Sequence, residues 1–214
     1  MRAMRWAALL IACACGSHAP APSRPPPAPP PVVKPPEPPV AATNNLRGPA
    51  DFASIADPAA RSRALFGELA IVLTHPRCVN CHTPDESPRQ GDHAALHDPP
   101  IVRSEGGRGV VGMQCTGCHQ DRNLELARVP GAPNWRLAPI AMVWLERTPA
   151  QICAQLKDPK RSGRTLEQIQ DHIAHDSLVA WGWSPGADRA PAPGSQALAG
   201  SLARAWIDTG AECP

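Results

Sequence analysis

Two pentapeptides of one pattern, Cys78-Val79-Asn80-Cys81-His82 and Cys115-Thr116-Gly117-Cys118-His119, begin 37 residues apart in this chain of 214. Cys-x-x-Cys-His is the attachment signature of c-type haem, and no hydrophobic pattern in the chain constrains the fold as strongly. Two thiols three positions apart lie on one turn, so both can add to the vinyl groups of one porphyrin. The imidazole that follows then falls beneath the iron as proximal ligand. The repeat predicts two covalent haem c groups, one on Cys78 and Cys81 and one on Cys115 and Cys118. His82 and His119 are the expected proximal ligands.

The start of the chain predicts export. Arg2 and Arg5 precede a short apolar stretch from Trp6 to Ala12; together they read as the charged and hydrophobic parts of a signal segment too short to span a bilayer. Leu10-Ile11-Ala12-Cys13 resembles a bacterial lipobox. Residues 1–12 are therefore expected to be a lipoprotein signal peptide and Cys13 the lipidated residue, anchoring the chain to a membrane face. Ala14 after Cys13, where an Asp would retain the protein, favours the outer membrane. Export agrees with the pentapeptides, since thioether attachment in bacteria takes place outside the cytoplasm, on the periplasmic side, where thiols otherwise oxidise. Without residues 1–12 the formal charge is 21 − 2 − 19 = 0. Neither this balance nor any basic stripe with aromatics suggests nucleic acid.

Residues 13–43 are expected to form an extended spacer, because 12 of the 28 prolines fall between residues 19 and 40 with almost nothing able to pack. Residues 44–214 are the expected folded unit: all-α, a small dihaem cytochrome c-like domain of short helices and long loops packed around two haems. Asp57-Pro58 opens a helix whose Leu65, Leu69, Val72 and Leu73 recur at helical spacing toward Cys78. Thr148-Pro149 opens another, Thr165-x-x-Gln168 forms a capping box, and a last helix runs near Ser195 to Asp208 with Gly210 as its stop. The long loop from Thr83 to Gln114 would be odd in a cofactor-free domain. Two porphyrins give it an apolar face to pack on.

Two irons in an electron carrier also need distal ligands. His97, between the pentapeptides, and His175, at the end of the Thr165 helix, are the favoured donors, with His172 and His75 as alternatives; His93 reads as a surface residue. Met142 reads as a core residue beside Trp144. Cys153 and Cys213 remain, and an oxidising compartment favours a disulfide between them. Trp135, Trp144, Trp181, Trp183 and Trp206 are expected to pack against porphyrin or in the core.

The segments Met113–Gln120, Pro130–Pro139, Thr148–Pro159 and Leu178–Gly186 resemble a family of bacterial dihaem cytochromes often labelled isoquinoline 1-oxidoreductase subunits, over roughly residues 66–213. The resemblance implies an electron-accepting partner for a periplasmic molybdenum hydroxylase or dehydrogenase. The chain has neither a four-Cys [2Fe-2S] pattern nor any sign of a molybdopterin domain, so catalysis would belong to another subunit. The leading expectation is a membrane-anchored dihaem electron carrier, not an enzyme. Two alternatives stand beside it: a dihaem peroxidase or sulfur-compound oxidase with one open haem, and a structural zinc protein using Cys78, Cys81, Cys115 and Cys118 as a ribbon.

Overall fold

Helix starts in this chain are written by short polar side chains. Asp57 accepts a hydrogen bond from the Ala60 N–H and precedes Pro58, Thr148 and Thr165 each form a reciprocal box with Gln151 and Gln168, and Ser195 accepts from the Leu198 N–H. Each cap satisfies amides that the helix itself leaves open. The computed structural model describes residues 45–186 and 189–214. The expected signal segment, Cys13 and the whole of the expected spacer over 13–43 lie outside the described residues.

In chain order the helices are α1 (Pro58–Leu73), α2 (Pro76–Val79), α3 (Cys115–Cys118), α4 (Pro149–Lys157), α5 (Pro159–Ser162), α6 (Leu166–His175), α7 (Ser177–Ala180) and α8 (Gln196–Asp208). Between α2 and α4 the chain is mostly loop. It carries two minimal antiparallel pairs, β1 (Arg89–Gln90) with β2 (Ala95–Leu96) and β3 (Gly109–Val110) with β4 (Met113–Gln114). The described unit is thus mostly helical with loops, and it includes small hairpins that the sequence pattern does not signal. Among the described residues, no helix is long and apolar enough to cross a membrane.

The core forms where α8 crosses α1 and α6. Leu65, Phe66, Leu69 and Val72 of α1 meet Leu202, Ala203 and Trp206 of α8, all essentially without solvent exposure, and Ile152, Cys153 and Leu156 of α4 close one side. The Phe66 and Trp206 rings lie 5.0 Å apart. Truncating a buried Trp of this kind typically costs about 3–5 kcal/mol. Gly200 permits the approach of α6, since a Cβ there would fall 2.5 Å from that of Ala174.

The C-terminal tail is tied back onto this core. Cys153 and Cys213 are joined by a disulfide, Lys157 Nζ donates to the Ala211 carbonyl, and the Ser62 hydroxyl links the Trp206 carbonyl to the Glu212 N–H. At the other end, Arg47 makes a two-point contact with the buried carboxylate of Glu68 and lies over the Phe52 ring. The result is a crosslinked helical frame, with the long loop mounted on its α2 and α6–α7 edge.

Candidate cofactor site

Both pentapeptides fold as one helical turn. In the first, α2 carries Cys78, and the His82 N–H donates to the Cys78 carbonyl at 3.2 Å; in the second, α3 spans the two cysteines and the His119 N–H donates to the Cys115 carbonyl at 2.9 Å. This i to i+4 closure puts both thiols and the following imidazole on one side of a turn.

Each histidine is then held in the same way. His82 Nδ1 lies 2.9 Å from the Met142 carbonyl and His119 Nδ1 lies 2.7 Å from the Pro130 carbonyl. A backbone carbonyl can only accept, so Nδ1 carries the hydrogen and the unprotonated lone pair sits on Nε2. Nδ1–H bonded to a carbonyl is the outer-shell arrangement that orients a metal-binding imidazole. Each ring is also stacked on an indole, His82 on Trp144 at 3.4 Å between centres and His119 on Trp135 at 4.5 Å, with interplanar angles of 5° and 9°. Burial pushes the His82 pKa down to about 3 and lowers that of His119, so both stay neutral, the state in which imidazole binds a metal. Burial also raises the thiols of Cys78 and Cys81, to about 12 and about 11. Both are S–H groups, the form that adds across a vinyl.

The surroundings of the two turns differ. Residues 142–145 wrap the first: the Trp144 and Leu145 N–H groups both donate to the His82 carbonyl, while the Ala138 N–H donates to that of Cys81. Arg103 crosses behind, bonding the Thr83 hydroxyl and the Ala138 carbonyl. Around the second turn, Gly131 follows the Pro130 carbonyl through a gap that admits no side chain, because a Cβ would sit 2.2 Å from the Arg122 carbonyl oxygen. Asn123 fixes that loop by accepting from both the Gly131 N–H and the Trp181 indole N–H. Cys118, Val111 and Leu126 are exposed there.

A cavity of about 610 Å³ opens beside Cys78, Cys81 and His82, and His172, Trp135 and Trp144 also line it. Three buried donors on cavity-lining residues have no partner: Arg77 Nε, Arg103 Nε and Trp144 Nε1. A volume of this size, apolar walls and unpaired donors suit a large flat group that carries carboxylates, and a haem with its propionates is such a group.

The sequence-predicted distal donors are distributed unequally. His172 lines the cavity, and its Nδ1 lies 3.1 Å from Asp176 Oδ2. His175, one turn on, is 71% exposed and paired with Asp171, outside the cavity. His75 caps α2 by accepting the Arg77 N–H and does not reach the cavity. His97 comes to His119, with ring centres 5.9 Å apart, while its Nδ1 lies 2.8 Å from the Pro99 carbonyl. Two imidazoles sharing one metal through Nε2, each at about 2.0 Å, place their ring centres about 6 Å apart. His93 is exposed. Among the described residues, no three His, Cys, Asp or Glu side chains converge as a metal shell, so the four thiols are not assembled as a zinc ribbon. A porphyrin supplies four of its iron's six donors itself and needs no such cluster.

Sequence reasoning did not find the carbonyls of Met142 and Pro130, Asn123, or the indoles of Trp144 and Trp135 as stacking partners. Only the tryptophans carried a signal, and it did not specify histidine as the neighbour.

No family model matches the chain, and no solved structure matches it. Over 103 residues, 48% of its length, the chain is 31% identical to the multiheme cytochrome MtrC of Shewanella baltica (strain OS185), and the match spans 15% of that protein. The likeness supports a cytochrome-like relationship over about half of the chain.

Proposed function

We propose that this protein is an exported dihaem c-type cytochrome that carries single electrons and catalyses no reaction of its own. The observation that carries the reading is the paired construction of the two turns: thiols and imidazole on one helical turn, Nδ1 held by a backbone carbonyl, Nε2 left for a metal. Cys78 and Cys81 would hold one porphyrin and Cys115 and Cys118 the other, with His82 and His119 as proximal ligands. A bound haem supplies the one-electron Fe(III)/Fe(II) couple. The residues supply the rest: the carbonyls of Met142 and Pro130 orient the imidazoles, and the cavity walls exclude water from one site. The donors of Arg77, Arg103 and Trp144 are free for acceptor groups. His172, on the cavity wall with His82, and His97, whose ring centre lies 5.9 Å from that of His119, would be the further imidazoles to hold the two groups, in preference to His175 and His75.

Similarity to a multihaem cytochrome supports the electron-transfer reading. The signal-like segment and Cys13 support a lipid anchor on the periplasmic side, with the outer membrane favoured. A periplasmic dehydrogenase, in particular a molybdenum hydroxylase, is the donor class implied by the family resemblance.

The test is production of the full chain in a host with a haem-maturation apparatus. Intact-mass and alkaline pyridine spectra should give two covalent haems per chain. An unmodified polypeptide, or bound zinc in place of iron, overturns the reading.

A further inference from the structure

Four imidazoles lie at the proposed haem positions, and each has its Nδ1 engaged. Three of them, His82, His119 and His97, meet backbone carbonyls, those of Met142, Pro130 and Pro99. His172 alone meets a carboxylate, Asp176 Oδ2 at 3.1 Å. The pair is shielded, with side chains 31% and 29% exposed, whereas the similar His175–Asp171 contact stands at 71% and 73% in solvent.

Asp176 is fixed on every side. Its Oδ1 accepts from the Leu178 and Val179 N–H groups as the cap of α7, its own N–H donates to the His172 carbonyl, and its carbonyl accepts from Gln196 at the start of α8. One carboxylate oxygen is thus spent on the helix start, and the other is left for the imidazole. Leu178 and Val179, whose amides it holds, line the same cavity as His172.

We infer that Asp176 is a positioning residue that tunes one of the two haems and not the other, lowering the potential of the iron bound by His82 and His172. The inference rests on the dihaem reading above and adds an asymmetry to it. A charged acceptor makes a stronger hydrogen bond than a carbonyl and draws the Nδ1 proton toward itself, so Nε2 becomes the better donor. A better donor stabilises Fe(III) over Fe(II), and a nearby negative charge acts in the same direction. The guanidiniums of Arg77, Arg103, Arg108, Arg136 and Arg164 line the same cavity and act oppositely, while the Glu105 carboxylate, also on its lining, acts with Asp176. They set the level from which Asp176 subtracts. At His97 the acceptor is the neutral Pro99 carbonyl, so the second iron has no such term.

The test uses the full holoprotein. Asp176→Asn keeps a good helix cap and removes the charge. Redox titration followed by optical spectra should show one midpoint raised, by tenfold or more in the reduction equilibrium, about 59 mV for one electron, while the other midpoint stays. One of the two low-spin paramagnetic signals should change with it. Asp176→Ser, also a good cap, removes charge and acceptor together and should shift the same midpoint in the same direction, so a failure of one variant to fold leaves the other decisive. Two unmoved midpoints, or an equal shift of both, overturns the inference. His172→Ala separates the levels: it should convert one haem from low to high spin. If His172→Ala leaves both signals low-spin, ligation by His172 fails, and the tuning fails with it. If it converts one haem while the Asp176 variants shift nothing, the ligation stands and only the tuning falls.

Discussion

The two Cys-x-x-Cys-His turns share the hydrogen bond from the histidine N–H to the first cysteine's carbonyl and have opposite surroundings. The first continues from α1 through α2, is wrapped by residues 142–145, and opens into a cavity walled by α4, α6 and α7. The second sits between the β3–β4 hairpin and the loop at Pro130, with Cys118, Val111 and Leu126 in solvent. The turn is a local structure that five residues specify, whereas burial comes from elements far away in the chain. One site is built into the helical frame and the other is hung upon it, so the same lesion should cost differently at each.

The largest contrast is expected from removing the thiols in pairs. Cys78→Ala with Cys81→Ala and Cys115→Ala with Cys118→Ala should each halve the covalent haem in a pyridine assay. The first pair should also lower the melting temperature sharply, because it empties a cavity inside the frame; the second should leave the helical melt nearly in place. Equal thermal effects would erase the distinction between built-in and hung sites.

Next comes the tether of the frame itself. Cys153→Ala with Cys213→Ala opens a crosslink between positions 60 residues apart, and should cost about 4 kcal/mol in denaturant unfolding on loop-entropy grounds. The haem count should remain two. A loss of haem at the second site would show that this site leans on the frame more than its exposure suggests.

A smaller and local effect is expected from Gly131→Ala. The added Cβ collides with the Arg122 carbonyl and must displace the neighbouring Pro130 carbonyl that holds His119 Nδ1. Only the second haem's spectrum should change, with overall stability reduced by about 1–3 kcal/mol. A change confined to the first haem would contradict the assignment of Pro130 to His119.

The smallest is a pH effect confined to the first site. Burial, with Arg77 adding to it, depresses the His75 pKa from about 6.5 to about 4. Between these values the unfolded chain binds a proton that the folded one refuses, so this residue's share of stability is complete above pH 6.5 and is lost as pH falls toward 4. His75→Asn keeps a helix cap without a titrating group, and should flatten that part of the stability profile. An unchanged slope between pH 6.5 and 4 would remove His75 from the account.

Much of the frame was legible because its signals are local. The caps at Asp57, Thr148, Thr165 and Ser195, the apolar spacing of Leu65, Leu69, Val72 and Leu73, and the stop at Gly210 each depend on residues within a few positions of one another. On α8, Ala199 and Ala203 take the inner face while Leu198 is only partly buried, since Gly200 lets α6 approach there. The hairpins β1–β2 and β3–β4 went unseen because two-residue strands have no periodicity to read.

At the candidate site, the sequence by itself determined the two turns, since the cysteines and the histidine of each pentapeptide fall at i, i+3 and i+4 of one helical turn. Only the tertiary structure decided what faces them. His172 and His175 are three residues apart on α6, and the packing of α6 against α8 turns the first toward the cavity and the second into solvent. The carbonyls that hold His82 and His119 belong to Met142 and Pro130. A backbone carbonyl is the same group in every residue, so no side-chain pattern could have marked which two would arrive.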